Sequence, residues 1–401
     1  MTDSAHSSTQ TGTAGEVLRA FARLGLTSFG GPVAHLGYFR DELVLRRRWL
    51  GEREYAEVVA LCQFLPGPTS SQVGWMLGLL RGGLLGALAA WAAFTLPSVV
   101  ALLAFAAGAA ALDNPFGTGL VHGLKVVAVA VVAQAVWGMA RTLCPDLRRV
   151  AIALAALLAL SLAGGAAVQL VAIVVGAVAG VLLCRAAAAG EASALAVPVS
   201  RRAGAALLAV FAALLAALPL LAGAGPAFAV ADAFYRSGAL VFGGGHVVLP
   251  LLESQVVAAG WVEGDAFLAG YGAAQAVPGP LFSFAAYLGA VLQPEPDGLA
   301  GAALCVMALF APGLLLVTGV LPFWSAVRRR PAARAAVHGA NAAVVGVLAA
   351  ALYDPIWTGA VQGPPDFALA ALGLVLLTRW QAPPWAVVLL LGLASALVAT
   401  L

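Results

Sequence analysis

The sequence predicts an all-α polytopic membrane protein: two inverted-topology repeats with broken, re-entrant helices, joined by a linking transmembrane helix. Three observations carry that expectation. The 401 residues are 62% hydrophobic and 10% charged, with a mean hydropathy of +0.97. The apolar residues fall into thirteen segments, and two motifs recur in the same order in two halves of the chain. A soluble domain carries roughly 25% charged residues. A single water-soluble globule could not hide so much apolar surface. Soluble enzymes, nucleic-acid-binding modules and disordered chains are thereby excluded, and the lipid bilayer becomes the surrounding medium.

The segments run over 17–38, 55–80, 84–111, 119–140, 149–163, 167–184, 203–224, 231–250, 266–291, 298–322, 335–353, 366–380 and 384–400. Several approach or exceed the ~20 residues that a spanning helix needs. Residues 1–15 are polar, lack the apolar core of a signal peptide and read as a cytoplasmic tail. Cys62, Cys144, Cys184 and Cys305 stand apart in apolar stretches, so neither a metal nor a redox cofactor is expected. The chain has no GxxxxGK[ST] sequence, so it carries no ATPase of its own. No Ser/His/Asp arrangement assigns a catalytic residue.

The segments divide as six, one and six, and the sixes resemble each other. Ala20-Phe21-x-Arg23-x-Gly25 leading to Phe29-Gly30-Gly31 matches Ala233-Phe234-x-Arg236-x-Gly238 leading to Phe242-Gly243-Gly244. His35 and His246 follow, then Trp49 and Trp261. Gln63-x-x-Pro66-Gly67-Pro68 matches Gln275-x-x-Pro278-Gly279-Pro280, and Val121-His122-Gly123 matches Val337-His338-Gly339. The offsets stay between 211 and 216, which marks an internal duplication. The expected organisation is a first repeat over 16–190, a linker with a transmembrane helix over 191–227 and a second repeat over 228–401.

Loop charge indicates that the repeats are inverted. Arg40, Arg46, Arg47, Arg48 and Arg53 lie between the first two segments, whereas the corresponding stretch 251–265 has no Lys or Arg. The loop 112–118 has none, but its counterpart carries Arg328, Arg329, Arg330 and Arg334. The loop 141–149 has three Arg and its counterpart 354–365 has none. Cytoplasmic loops are enriched in Lys and Arg, so the bias inverts at each pair, and the segment 203–224 supplies the odd crossing. Arg81, the 141–149 loop and the Arg185/Arg201/Arg202 linker all fall inside if 55–80 dips in and returns. The expectation is about nine full crossings, four broken segments, a cytoplasmic N-terminus and an external C-terminus. Thirteen full crossings give the same ends with a worse charge fit.

The breaks suggest what the molecule holds. Pro32, Pro66, Pro68, Pro278 and Pro280 remove helix donors, and Gly245 relaxes the backbone where repeat one has Pro32. Half-helix N-termini there present N–H groups and a positive dipole end to an anion. The expected anion-binding set is Arg23, Ser28, Gly30, Gly31, His35, Gln63, Gly67, Thr69, Ser70 and Lys125 in repeat one. Arg236, Gly243, Gly244, His246, Gln275, Gly279, Ser283 and Asn341 complete it in repeat two. The paired guanidiniums of Arg23 and Arg236 suit a tetrahedral dianion, and the sole lysine, Lys125, lies inside a segment with Asn341 as its counterpart. Carboxylates are scarce in the segments, which favours an anion over a cation.

Phe29-Gly30-Gly31-Pro32 with His35, then Trp49, then the Gln63 to Pro68 motif, with their repetition in half two, resembles the chromate ion transporter family. The resemblance runs from about residue 16 to the end. It implies a long-chain, two-domain carrier of the inner membrane that exports chromate, driven by the membrane potential or the proton gradient. Sulfate, another tetrahedral dianion, is the alternative substrate. A non-transporting membrane scaffold or a membrane enzyme is the alternative class, and a homodimer is a candidate assembly.

Overall fold

The computed structural model describes residues 12–109, 114–184 and 197–400. Most of the tail, positions 112–113 of the first uncharged loop, Arg185 and the expected boundary at 190/191 lie outside the described residues. The described residues of all thirteen apolar segments form helix, interrupted at the breaks, and no strand occurs among the described residues. Repeat one comprises α1 (Ala14–Thr27), α2 (Gly31–Phe39), α3 (Glu52–Phe64), α4 (Thr69–Ala109), α5 (Pro115–Leu143), α6 (Leu147–Ala163) and α7 (Gly165–Leu183). A π-helical stretch, Arg40–Arg46, extends α2. The linking helix is α8 (Arg201–Leu221). Repeat two comprises α9 (Pro226–Ala239), α10 (Val248–Val256), α11 (Gly264–Ala276), α12 (Phe284–Val291), α13 (Gly298–Val320), the short α14 (Trp324–Val327), α15 (Pro331–Ala351), the short α16 (Thr358–Ala360), α17 (Pro364–Thr378) and α18 (Pro384–Thr400).

Local chemistry sets the helix starts. Asn114, Asp146 and Ser200 accept hydrogen bonds from the N–H groups of Gly117, Arg149 and Ala203, and so cap α5, α6 and α8. Proline stands at the start of α5, α9, α15 and α17, where a missing N–H costs nothing. The four expected breaks all interrupt helices, between α1 and α2, α3 and α4, α9 and α10, and α11 and α12.

Among the described residues, six helical stretches are long and apolar enough to cross a membrane, and the first of them, Thr69–Gly108, folds back on itself. Gly82 and Gly83 leave helical geometry, and a Cβ on Gly78 would stand 2.4 Å from the Gly86 carbonyl oxygen. Eight residues of continuous helix would separate those backbones by ~12 Å. Repeat two does the same: a Cβ on Gly289 would stand 2.3 Å from the Gly301 carbonyl oxygen, which packs α12 on α13.

The duplication seen in sequence is also present in the packing. Gly25 seats α1 on Ala93 of α4 as Gly238 seats α9 on Leu309 of α13. Across the repeats, Gly123 of α5 meets Gly392 of α18, and Gly339 of α15 meets Gly180 of α7. The breaks interlock reciprocally. Gly67 N–H donates to the Val241 carbonyl at 2.7 Å, and Gly279 N–H donates to the Ser28 carbonyl at 2.9 Å. Every one of these pairs has its counterpart at an offset of 211 to 216, as a two-fold relation between the halves requires. Gly67 and Gly279 need their glycine, since their φ angles are +127° and +104°. A Cβ would also press on Gly313 from Gly67 and on Ser98 from Gly279.

The starts of α1 and α3 and the turn within α4 come together at one end. Glu16 accepts from Trp49 Nε1 at 3.0 Å and pairs with Arg81 at 3.1 Å, and Gly12 N–H donates to the Arg81 carbonyl at 2.8 Å. In repeat two the Gln293 N–H donates to the Trp261 carbonyl at 2.9 Å.

Candidate functional site

A cavity of about 1010 Å³ opens between the repeats. Three of the four breaks line it: Gly30 and Pro32; Gln63, Gly67 and Thr69; and Gly243, Gly244, Gly245 and His246. α5 contributes its C-terminal turns, from Gln134 to Leu143, whereas its counterpart α15 contributes N-terminal turns, from Arg334 to Asn341. Counterpart helices thus present opposite ends to one cavity, as inverted repeats must. Arg149, Arg328 and Arg334 line the cavity, and among the described residues no Asp or Glu does. Thr69 opens α4 on the cavity wall, so the positive end of that helix dipole faces inward.

The cationic groups are held from behind. Arg328 pairs with Glu57 at 2.9 Å, and Trp324 Nε1 donates to the same carboxylate at 2.7 Å. These contacts tie α14 of repeat two to α3 of repeat one. Arg149 pairs with Asp146 at 2.8 Å. The Arg149 N–H and guanidinium hold the Asp146 carboxyl below the usual carboxylate range. Arg334, His338 and Asn341 follow one another at i, i+4 and i+7, on one face of α15. His338 Nδ1 and the Asn341 side-chain oxygen have no hydrogen-bond partner within the fold. His246 is held by the Tyr271 hydroxyl at 2.8 Å.

The structure gathers part of the expected anion-binding set and disperses the rest. Gly30, Gln63, Gly67, Thr69, Gly243, Gly244, His246 and Asn341 line the cavity, with Pro32 and Gly245. Gly31, Ser70, Gln275, Pro66, Pro68, Pro278 and Pro280 lie beside the breaks but outside the lining. Arg23 is exposed on α1, and Arg236 pairs with Asp232 one turn back, so these guanidiniums do not meet over a shared anion. His35 is buried edge-on to Phe94, with ring centroids 5.2 Å apart. Ser28 is buried, and Ser283 donates to Ser98 at 2.7 Å and to the Pro280 carbonyl. Lys125 pairs with Asp265 at 3.0 Å, away from the cavity. The N–H groups of Gly67 and Gly279 serve the fold rather than an anion. Gln63 is exposed on the cavity wall.

Sequence reading missed Arg149, Arg328 and Arg334 because it spent them on topology. The i, i+4, i+7 stripe of Arg334, His338 and Asn341 was the available signal.

A profile of the family described as "Chromate transporter" matches residues 15–182 and 228–396. The chain is 29% identical to the chromate transport protein of Pseudomonas aeruginosa, covering 96% of this chain and 92% of that protein. It is 28% identical to a probable chromate transport protein of Synechococcus elongatus, over 91% and 90% of the two chains. With the chromate transport protein of Cupriavidus metallidurans it shares 26% identity, over 91% and 88%. No solved structure matches the chain. Two matched repeats that together span most of the sequence, folded as two interlocked halves around one cavity, establish that the chain belongs to the chromate transporter family.

Proposed function

We propose that this protein is a secondary carrier that binds chromate in the cavity and exports it across the inner (plasma) membrane. One observation carries the reading: a cavity between the repeats with three arginines on its wall and, among the described residues, no carboxylate in its lining. Forked guanidinium donors match a tetrahedral dianion, and the amides of Gln63 and Asn341 supply neutral donors beside them. The relatives named for chromate transport support the substrate, since they align with nearly the whole chain. A scaffold would need no such cavity.

The proposed topology has nine full crossings and four re-entrant segments, with the N-terminus cytoplasmic and the C-terminus outside. The meeting of Gly12, Glu16, Trp49 and Arg81 at one end supports it, because both broken segments of repeat one then start and finish on the same side. The two helices of the second segment, α3 and the first arm of α4, are each far shorter than the ~30 Å hydrocarbon core. The arginine-rich cavity wall faces the cytoplasm in this arrangement.

The test is labelled chromate uptake into everted membrane vesicles, with and without excess sulfate. Wild-type protein is expected to drive saturable uptake, and the Arg149→Ala/Arg334→Ala double variant to lose most of it. Unchanged uptake in the double variant would overturn the cavity assignment. Uptake of sulfate in place of chromate would reassign the substrate.

A further inference from the structure

The repeat that builds the open cavity has left a matching stripe on the opposite face. Arg334, His338 and Asn341 line the cavity from α15. Subtracting their common offset of 216 gives Thr118, His122 and Lys125, at the same i, i+4, i+7 spacing on α5. The two stripes are seated alike, since Gly123 meets Gly392 as Gly339 meets Gly180. What differs is the company. Arg149, the third residue of α6, lines the same cavity as His338, whereas Asp366, the third residue of the counterpart helix α17, hydrogen-bonds His122 at 2.8 Å. Arg53, the second residue of α3, has as its counterpart Asp265, the second residue of α11, which pairs with Lys125 at 3.0 Å.

We propose that His122 and Lys125 form a second oxyanion-binding half-site, closed in this conformation, in which the carboxylates of Asp366 and Asp265 occupy the places of the transported anion. The proposal rests on the transport reading above. The Lys125 side chain is 7% exposed, but that of Asp265 is 70% exposed. A buried ammonium cannot be left without an anionic partner. Its present partner sits at the solvent edge on a different helix, where an entering dianion can displace it. When the cavity closes on the arginine side and this face opens, α11 moves relative to α5 and the dianion replaces Asp265 on Lys125. The same exchange in reverse, with Asp265 reclaiming Lys125, releases the anion.

The experiment uses the full chain in proteoliposomes, with chromate exchange measured separately from each face. Asp265→Asn removes the competitor from an exposed position. It is expected to lower the half-saturating chromate concentration at the acidic face about fivefold, as loss of a charged competitor allows. Lys125→Gln is expected to slow exchange about tenfold. The Lys125→Asp/Asp265→Lys exchange rebuilds the ion pair but not the anion ligand, and is expected to stay as slow as Lys125→Gln. Recovery to the wild-type rate in that double variant would make the pair a strut and overturn the proposal. An unchanged or raised half-saturation in Asp265→Asn would overturn it equally. Wild-type liposomes that move no chromate from either face would defeat the transport reading itself, whereas wild-type exchange with insensitive variants defeats only the second half-site.

Discussion

The two ends of this molecule are built from the same parts and carry opposite charge. At one end α15 and α6 bring Arg334, His338, Asn341 and Arg149 to an open cavity. At the other, their counterparts α5 and α17 bring Thr118, His122, Lys125 and Asp366 to a closed surface where His122 and Lys125 each meet a carboxylate. Helix starts, glycine contacts and histidine positions repeat at the two ends, and the side chains set on them differ. On the proposed reading, a duplicated fold holds one end ready for an anion while carboxylates cover the cationic stripe at the other.

The sharpest way to break this comparison is to convert one end into the other. Arg149→Asp gives the cavity the residue that α17 carries at the corresponding position. A reversed charge beside the anion is expected to cut chromate uptake into everted vesicles by about a hundredfold. A loss no greater than that of Arg149→Ala would show that the sign of this charge does not matter.

A second pair of variants tests whether the backbone two-fold holds energetically. A Cβ at Gly339 would meet the Gly180 Cα at 2.6 Å, and one at Gly123 would meet the Gly392 Cα at 2.7 Å. Gly339→Ala and Gly123→Ala should each destabilise the protein by about 2 kcal/mol, and by similar amounts. Thermal unfolding in detergent reads this, and a large difference between the two would break the symmetry. A smaller effect is expected at Gln72, whose side-chain amide donates to the Pro66 carbonyl at 2.9 Å and to the Gly313 carbonyl at 3.0 Å. Gln72→Leu should cost about 1 kcal/mol in the same assay, with one buried carbonyl pair left short of a donor. The smallest effect belongs to Arg23→Ala. Arg23 is exposed and away from the cavity, so uptake should stay within about twofold of wild type. A tenfold loss would return the conserved spacing of Arg23 and Arg236 between the halves to the binding site.

Much of the architecture was legible in the chain. The thirteen segments, the four breaks and the duplication follow from apolar length, Gly and Pro placement and a fixed offset, which are local or periodic properties. The site was legible in part. Gly30, Gln63, Thr69, Gly243, His246 and Asn341 lie on the cavity because they flank breaks or sit at repeated positions. Arg23, Arg236 and Lys125 drew attention as cations near breaks or inside segments. Charge and position along a helix say nothing of azimuth, however, and Arg23 is exposed away from the cavity while Lys125 and Arg236 pair with carboxylates.

By itself, then, the sequence determined a membrane-embedded helical duplication with inverted loop charge. Apolar content and Arg distribution act through partitioning between lipid and water, and they need no tertiary contact. The tertiary structure alone decided that each Pro-Gly-Pro glycine donates to the backbone of the other half, and which arginines leave the loops for the cavity wall. Both depend on how the two halves dock. That docking is set by glycine-to-glycine approach between residues more than 150 positions apart, a separation across which no local pattern in the chain carries information.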